Sequence, residues 1–203
     1  MPQTHILKVS RLEGLTDGVF AIAMTILVLN LRLPIGILAA NLPAIFVSTI
    51  FFNLLIYIGS FIILGTLWIA MNFQLGLLAS VNRSYLWSNV FYLMIVCVVP
   101  FSASLIAEFP KSQWSLSFFA INLLFANLGQ LLTFHYANKY NLNGELNTPA
   151  IAKAILHRIY VAPIFYIAAL LLAFWNTSIA FLVLVAPPII YMFPGQIDHL
   201  DKR

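Results

Sequence analysis

Long apolar runs separated by short polar segments extend along almost the whole chain. A helix needs about 20 apolar residues to cross the roughly 30 Å hydrocarbon core of a bilayer, because each helical residue advances the chain by about 1.5 Å. The pattern predicts six membrane-spanning helices, over residues 13–33, 43–80, 84–107, 113–138, 150–174 and 177–195. We therefore expect an all-α membrane protein in which residues 1–203 form a single six-helix domain.

The second run, over 43–80, is longer than one crossing requires, and the distribution of basic residues bears on how often it crosses. If it crosses once, eight of the ten Lys and Arg residues lie on one side of the membrane, and only Arg32 and Lys111 lie on the other. Two crossings reduce this separation to seven against three. Because basic residues concentrate on the cytoplasmic side, the distribution favours six helices with both termini in the cytoplasm.

The composition agrees with a membrane protein, since 62% of the residues are hydrophobic and only 8% are Asp, Glu, Lys or Arg. Soluble domains carry about 25% charged residues. The net charge of +4 comes from basic residues that stand singly at the ends of apolar runs. These residues indicate membrane topology rather than nucleic-acid binding, so the predicted partner is the lipid bilayer and no nucleic acid.

Few residues in the sequence suggest catalytic or metal chemistry. The single cysteine, Cys97, excludes an intramolecular disulfide and a cysteine metal cluster. No two of the four histidines share a helical face at the spacing that metal ligands need, so no metal or cofactor is expected. The hydrolase motif Gly-x-Ser-x-Gly, the metalloprotease motif His-Glu-x-x-His and a phosphate-binding glycine loop are also absent. These features favour a protein that is not an enzyme.

Three charged residues, Arg11, Glu13 and Asp17, lie at the start of the first apolar run. Charges inside a bilayer are costly unless they are paired, which makes this segment a candidate for function. In one interpretation the segment is interfacial: the carboxylates complement the helix dipole and Arg11 extends toward the headgroups. In another, Asp17 is an intramembrane carboxylate of a proton-coupled secondary transporter.

Helical geometry divides the first span into two faces. At about 100° per residue, one sector is apolar with a single hydroxyl and contains Leu15, Gly18, Ile22, Thr25, Ile26 and Leu29. The opposite side contains Asp17, Phe20, Met24 and Leu27. An apolar column at helical spacing usually reflects ordinary packing, so this face does not by itself identify a pore.

The start of this span resembles a known family signature. Arg11-x-x-x-Leu15-Thr16-Asp17-x-x-Phe20 is similar to Arg-x-x-x-Phe-Ser-Asp-x-x-Phe, which begins the first helix of the transmembrane protein 175 family of potassium channels. The similarity continues through Ala21-Ile-Ala-Met-Thr-Ile-Leu-Val-Leu29. A second segment, from Trp87 to Ser102, resembles the family's third span, with its asparagine-containing start and its Pro-Phe end.

The resemblance implies a bacterial-type channel with one six-helix unit per chain, assembled as a homotetramer in the cell inner membrane. The implied pore-lining residues of helix 1 are Ile22, Ile26 and Leu29, with Thr25 as a hydroxyl layer. The signature residues that hold helix 1 against its neighbours are Arg11, Thr16, Asp17 and Phe20, and their expected partner from helix 2 is Trp68. The family often has two adjacent histidines after this tryptophan, and here these positions hold Met71 and Asn72.

The implied function is passive permeation of potassium ions through hydrophobic constrictions formed by four copies of helix 1. The Thr-Val-Gly-Tyr-Gly filter of conventional potassium channels is absent. Apolar constrictions gate by dewetting and require partial dehydration of the ion, which is easier for potassium than for sodium. We therefore expect modest selectivity for potassium over sodium.

Overall fold

The structure, a computed structural model, describes residues 8–31 and 50–192. Apart from one isolated bridge between Leu78 and Asn143, the regular structure in these ranges is helical. The helices are α1 (Val9–Ile26, continued by a 3₁₀ turn over Leu27–Asn30), α2 (Phe51–Gly76), α3 (Arg83–Cys97), α4 (Val99–Glu108), α5 (Gln113–Lys139), α6 (Pro149–Leu172) and α7 (Thr177–Met192).

Within residues 8–31 and 50–192, the structure has six apolar helical segments in the order that the sequence predicts. Five segments are long and apolar enough to cross a membrane, and α3 and α4 together form one of them. The sixth is α7, a shorter apolar helix of 16 residues. The predicted ends at 32–33, 43–49 and 193–195 lie outside the described residues.

The long second run forms one continuous helix over its described part, as the charge distribution predicts. Gly59 and Gly65 could have bent this run, yet α2 continues through both. Gly59 lies where α2 packs against α7, and an added Cβ there would be in ordinary van der Waals contact, 3.4 Å from Cγ2 of Val185.

The third span, predicted as a single run, is interrupted at Val98 between α3 and α4. Pro100 explains the interruption, because proline has no N–H to continue the helical hydrogen-bond pattern. The Val98 N–H donates to the Ile95 carbonyl at 3.1 Å instead. Asn122 of α5 stabilises the interruption: with its amide nitrogen toward α3, it donates to the Ile95 carbonyl and its oxygen accepts from the Val99 N–H, both at 3.1 Å.

Helix α5 is central to the bundle, since it packs against α3, α4, α6 and α7. Its Gln130 is buried and donates to the Leu67 carbonyl at 3.0 Å and to the Tyr92 hydroxyl at 3.2 Å. Buried amides are costly unless they are hydrogen-bonded, so these contacts fix α5 relative to α2 and α3. The preceding Gly129 allows close approach, because a Cβ there would lie only 3.0 Å from Cδ2 of Tyr92.

Two loops meet at the end of the bundle where α1 begins. The Ala79 N–H donates to the Leu142 carbonyl at 2.9 Å, and the Gly144 N–H donates to the Leu77 carbonyl at 2.8 Å. These bonds join the α2–α3 turn to the α5–α6 loop. The basic residues of the described helices lie near this end, at Lys8, Arg11, Arg83, Lys139, Lys153 and Arg158. Lys111 lies between α4 and α5, at the opposite end.

Candidate permeation face on the first helix

Helix α1 presents a continuous apolar face on the surface of the subunit. Ile22 is 61% exposed, Ile26 is 43% exposed and Leu29, in the 3₁₀ turn, is 62% exposed. On the opposite side Phe20 and Leu27 are 1% and 0% exposed. The division into an outward face and a packed face therefore follows the helical geometry that the sequence predicts.

Thr25 provides the polar group of this exposed face. Its side chain is exposed, and its hydroxyl donates to the Ile22 carbonyl at 2.9 Å, three residues earlier in the same helix. A threonine hydroxyl has one donor and two acceptor lone pairs, so this bond leaves the oxygen able to accept. The face thus combines branched apolar side chains with one oxygen acceptor.

The packed face of α1 is held by Thr16 and Phe20. The Thr16 side chain is fully buried, and its hydroxyl donates to the Asn89 Oδ1 of α3 at 3.4 Å. The Phe20 ring lies 6.3 Å from the Tyr92 ring, measured between centroids. Sequence reasoning does not single out Asn89, although its position in the asparagine-containing start of the third span offers a signal.

Asp17 and Trp68 meet on the surface between α1 and α2. The Trp68 indole N–H donates to the Asp17 Oδ1 at 2.8 Å. Asp17 is exposed and Trp68 is 37% exposed, so the pair lies at the subunit surface. Arg11 does not join them: it is exposed and forms no ion pair or side-chain hydrogen bond with the described residues.

The far end of α1 contacts the interrupted third span. The Asn30 side-chain N–H donates to the Pro100 carbonyl at 3.1 Å. A cavity of about 290 Å³ follows this contact and is lined by residues that include Ile22, Ile26 and Phe101. The apolar face of α1 therefore extends into a groove against α4. The sequence does not indicate the role of Asn30, because a single polar residue at a span end is common.

The described residues include no cluster of side chains that could hold a metal ion. No group of three or more His, Cys, Asp or Glu side chains comes together in the ranges 8–31 and 50–192. Met71, at one of the positions where the resemblance leads one to look for histidine, is fully buried in the core. The arrangement on α1 is thus an exposed apolar face with one hydroxyl group.

Comparisons with known proteins bear on this same part of the chain. The family described as "Endosomal/lysosomal potassium channel TMEM175" matches residues 11–100, which include the α1 face and Trp68. A Chryseobacterium protein named as a potassium channel is 29% identical over 190 residues, covering 92% of this chain and 93% of the relative. A Streptomyces collinus protein, also named as a potassium channel, is 29% identical over 111 residues. The chain spans about half the length of that relative, because the match covers 50% of it.

A solved structure has the same fold. The crystal structure of a lysosomal potassium-selective channel TMEM175 homolog from Chamaesiphon minutus matches with a TM-score of 0.74. The match covers 91% of this chain and 96% of the other, at 23% sequence identity. The helical architecture is therefore shared well beyond the segment in which the family signature lies.

Proposed function

We propose that this chain is a member of the TMEM175 family, whose model matches residues 11–100, and that it forms a passive potassium-selective cation channel. In this proposal four copies assemble around a central axis in the bacterial inner membrane, with helix α1 of each copy facing the axis. A closed symmetric ring is the simplest way for one α1 per chain to enclose a pore. Both termini are proposed to be cytoplasmic, in keeping with the basic end of the bundle.

The observation that carries the proposal is the exposed apolar face of α1, where Ile22, Ile26 and Leu29 lie at the surface of the single subunit. Asp17, on a different side of the same helix, is also exposed, and no charged residue follows it through Leu31. A charged side chain facing lipid is costly, by about 2.5–3.5 kcal/mol even on the lower scale for a central position. A helix that exposes both a carboxylate and an apolar face is therefore better suited to contact with water and neighbouring subunits than with lipid alone, which favours α1 at the centre of an assembly.

In the proposed tetramer the side chains of Ile22, Ile26 and Leu29 form successive apolar rings. Their branched side chains would narrow the pore and dewet it, so an ion must lose part of its hydration shell. The free-energy cost of this partial dehydration is smaller for potassium than for sodium, because potassium is more weakly hydrated. The Thr25 oxygen, which can still accept, would replace part of the lost hydration. Selectivity for potassium over sodium is accordingly proposed to be modest.

The remaining signature residues are proposed to position α1 rather than to contact ions. Thr16 bonds to Asn89, Phe20 packs near Tyr92, and Asp17 accepts from Trp68. These contacts set the rotation of α1 about its own axis and therefore which side chains face the pore. Arg11, exposed in the single subunit, is proposed to contact a neighbouring subunit or headgroups.

A proton-coupled transporter using Asp17 is the alternative, and the geometry does not favour it. The carboxylate accepts from an indole, a group that cannot relay protons, and it lies away from the apolar column. Potassium efflux from liposomes that contain only the purified protein tests the proposal. We expect potassium-selective flux down the gradient without a proton gradient; flux that requires a proton gradient would replace the channel with the transporter.

A further inference from the structure

Arg158 marks the boundary between the polar and apolar parts of α6. Lys153 and His157 precede it, and no charged residue follows it through Leu172. Helix α6 begins at Pro149, so Arg158 lies about 14 Å along the helix axis at roughly 1.5 Å per residue. The uncharged remainder of α6 covers much of a hydrocarbon core, which places Arg158 at the depth where a membrane changes from headgroups to acyl chains.

The Arg158 side chain is partly buried and held by α7. Its guanidinium carbon lies 5.5 Å from the centroid of the Tyr191 ring, and the Tyr191 hydroxyl donates to the Arg158 carbonyl at 3.0 Å. Neither contact uses the N–H donors of the guanidinium. Within residues 8–31 and 50–192, these donors have no carboxylate partner. The charge is thus oriented by the protein without being neutralised by the part of the chain that the structure describes.

A cavity of about 50 Å³ lies beside Arg158, between α2, α5, α6 and α7. Asn127 of α5 lines the same cavity, is only 4% exposed, and its Oδ1 is buried without a hydrogen-bond partner. Its amide nitrogen likewise bonds to none of the described residues. A cavity of this size holds water molecules or a few oxygen atoms. Buried polar groups in native proteins almost always have partners, so Arg158 and Asn127 together indicate a polar ligand from outside the residues that the structure describes.

We propose that this cavity binds the phosphate group of an anionic membrane lipid. A guanidinium presents paired N–H donors that match two phosphate oxygens, and it binds phosphate more specifically than an ammonium does. The Asn127 amide N–H would donate to a further phosphate oxygen, and its Oδ1 would accept from a water molecule in the cavity. An anionic lipid also supplies a counter-charge at the depth of Arg158 that residues 8–31 and 50–192 do not provide, and basic pockets between membrane helices are known to bind acidic headgroups. The role is separate from ion permeation, because the cavity lies away from α1.

Native mass spectrometry of the purified full-length chain tests the proposal, with added phosphatidylglycerol or phosphatidylcholine as probes. We expect the wild-type protein to retain phosphatidylglycerol preferentially and Arg158→Gln to lower its apparent affinity by about tenfold. Lys153→Gln is the matched control, because it removes an exposed charge from the same helix without touching the cavity. An equal loss of phosphatidylglycerol affinity in both variants would show a general attraction between basic residues and anionic lipid, and it would overturn the proposal.

A second variant and a third probe complete the experiment. Asn127→Leu keeps Arg158 and removes a buried amide without a partner, so we expect it to fold and still to bind phosphatidylglycerol more weakly. Unchanged retention in Asn127→Leu overturns the site even if Arg158→Gln cannot be purified. Inorganic phosphate alone distinguishes the source of the group. If it raises the wild-type unfolding temperature while neither lipid is preferred, the cavity takes free phosphate and the lipid proposal is wrong.

Discussion

The indole N–H of Trp68 donates to the Asp17 carboxylate at 2.8 Å and thereby joins two helices whose contact residues are 51 positions apart. Asp17 lies in the family signature at the start of α1, whereas Trp68 lies in the second half of α2. Their contact fixes the rotation of α1 against its own subunit. Since rotation decides which side chains point outward, this surface pair bears on the geometry of the proposed pore.

Removing either partner of this pair should impair assembly before it changes selectivity. Trp68→Phe keeps the ring and removes the donor, and Asp17→Ala removes the acceptor; we expect both to lower the fraction of intact tetramer recovered in mild detergent. An unpaired polar group at a subunit contact is destabilising. Size-exclusion chromatography with mass measurement checks the result. If Asp17→Asn instead forms a stable tetramer that has lost both transport and its pH dependence, the transporter interpretation becomes the better one.

The second prediction concerns the number of subunits in the assembled particle. One copy of α1 presents its apolar face on a single side of the subunit and cannot enclose an aqueous path, so ion permeation requires several copies. The purified particle in mild detergent should therefore have the mass of four chains and four-fold symmetry in projection images. A monodisperse monomer that still conducts ions after reconstitution would be incompatible with this arrangement.

Close packing between α3 and α5 gives a third prediction. A Cβ at Gly129 would lie 3.0 Å from Cδ2 of Tyr92, so Gly129→Ala must displace a ring that is also bonded to Gln130. Overpacking of this kind costs about 1–3 kcal/mol of stability. Gly65→Ala is the matched control, because no atom lies within 4 Å of its added Cβ. The unfolding temperature in detergent should fall clearly for Gly129→Ala and should not fall for Gly65→Ala. Equal unfolding temperatures of the two variants would contradict the close packing at Gly129.

The contact between Asn30 and Pro100 gives a fourth prediction. Asn30→Ala removes the N–H that reaches the Pro100 carbonyl at 3.1 Å, and a hydrogen bond of this type contributes about 1 kcal/mol. Asn53→Ala serves as the control, since the Asn53 side chain makes no hydrogen bond with the described residues. Unfolding temperatures of the two variants should differ, with Asn30→Ala the lower. If they coincide, the 3₁₀ turn at the end of α1 is held by packing alone.

Much of the architecture could be predicted from the sequence because the bilayer requires long apolar runs. The charge distribution favoured a single crossing for the run over 43–80, and α2 is indeed one helix over its described part. The division of α1 into an outward face and a packed face followed from helical geometry and a short signature. In both cases the signal can be read along the chain without knowing how the helices pack against one another.

Contacts between distant residues could not be predicted in the same way. Asn89, Gln130 and Asn122 bond across helices, and which polar side chain finds which partner depends on how the helices cross. The interruption at Val98 is a partial exception, because Pro100 is visible in the sequence and could have been read as a break. The cavity at Arg158 needs four helices in place before it exists, so no pattern in one segment indicates it.

The central claim is that the apolar face of α1 lines a potassium pathway, and substitution of Ile22 addresses it. Ile22→Asn keeps roughly the same side-chain size and adds polar groups that substitute for part of an ion's hydration shell. Ile164→Asn is the matched control, because Ile164 in α6 is 65% exposed against 61% for Ile22 and lies away from α1. Leu27→Asn, at a fully buried position on the back of the same helix, reports the cost of disturbed packing.

The decisive measurement is the potassium and sodium conductance of these proteins in lipid bilayers, together with the reversal potential under opposing gradients of the two ions. The account predicts that Ile22→Asn raises total conductance and lowers the preference for potassium, that Ile164→Asn conducts as the wild type does, and that Leu27→Asn loses stability. A folded, assembled Ile22→Asn protein with unaltered conductance and unaltered selectivity would contradict it, because α1 would then not line the pore.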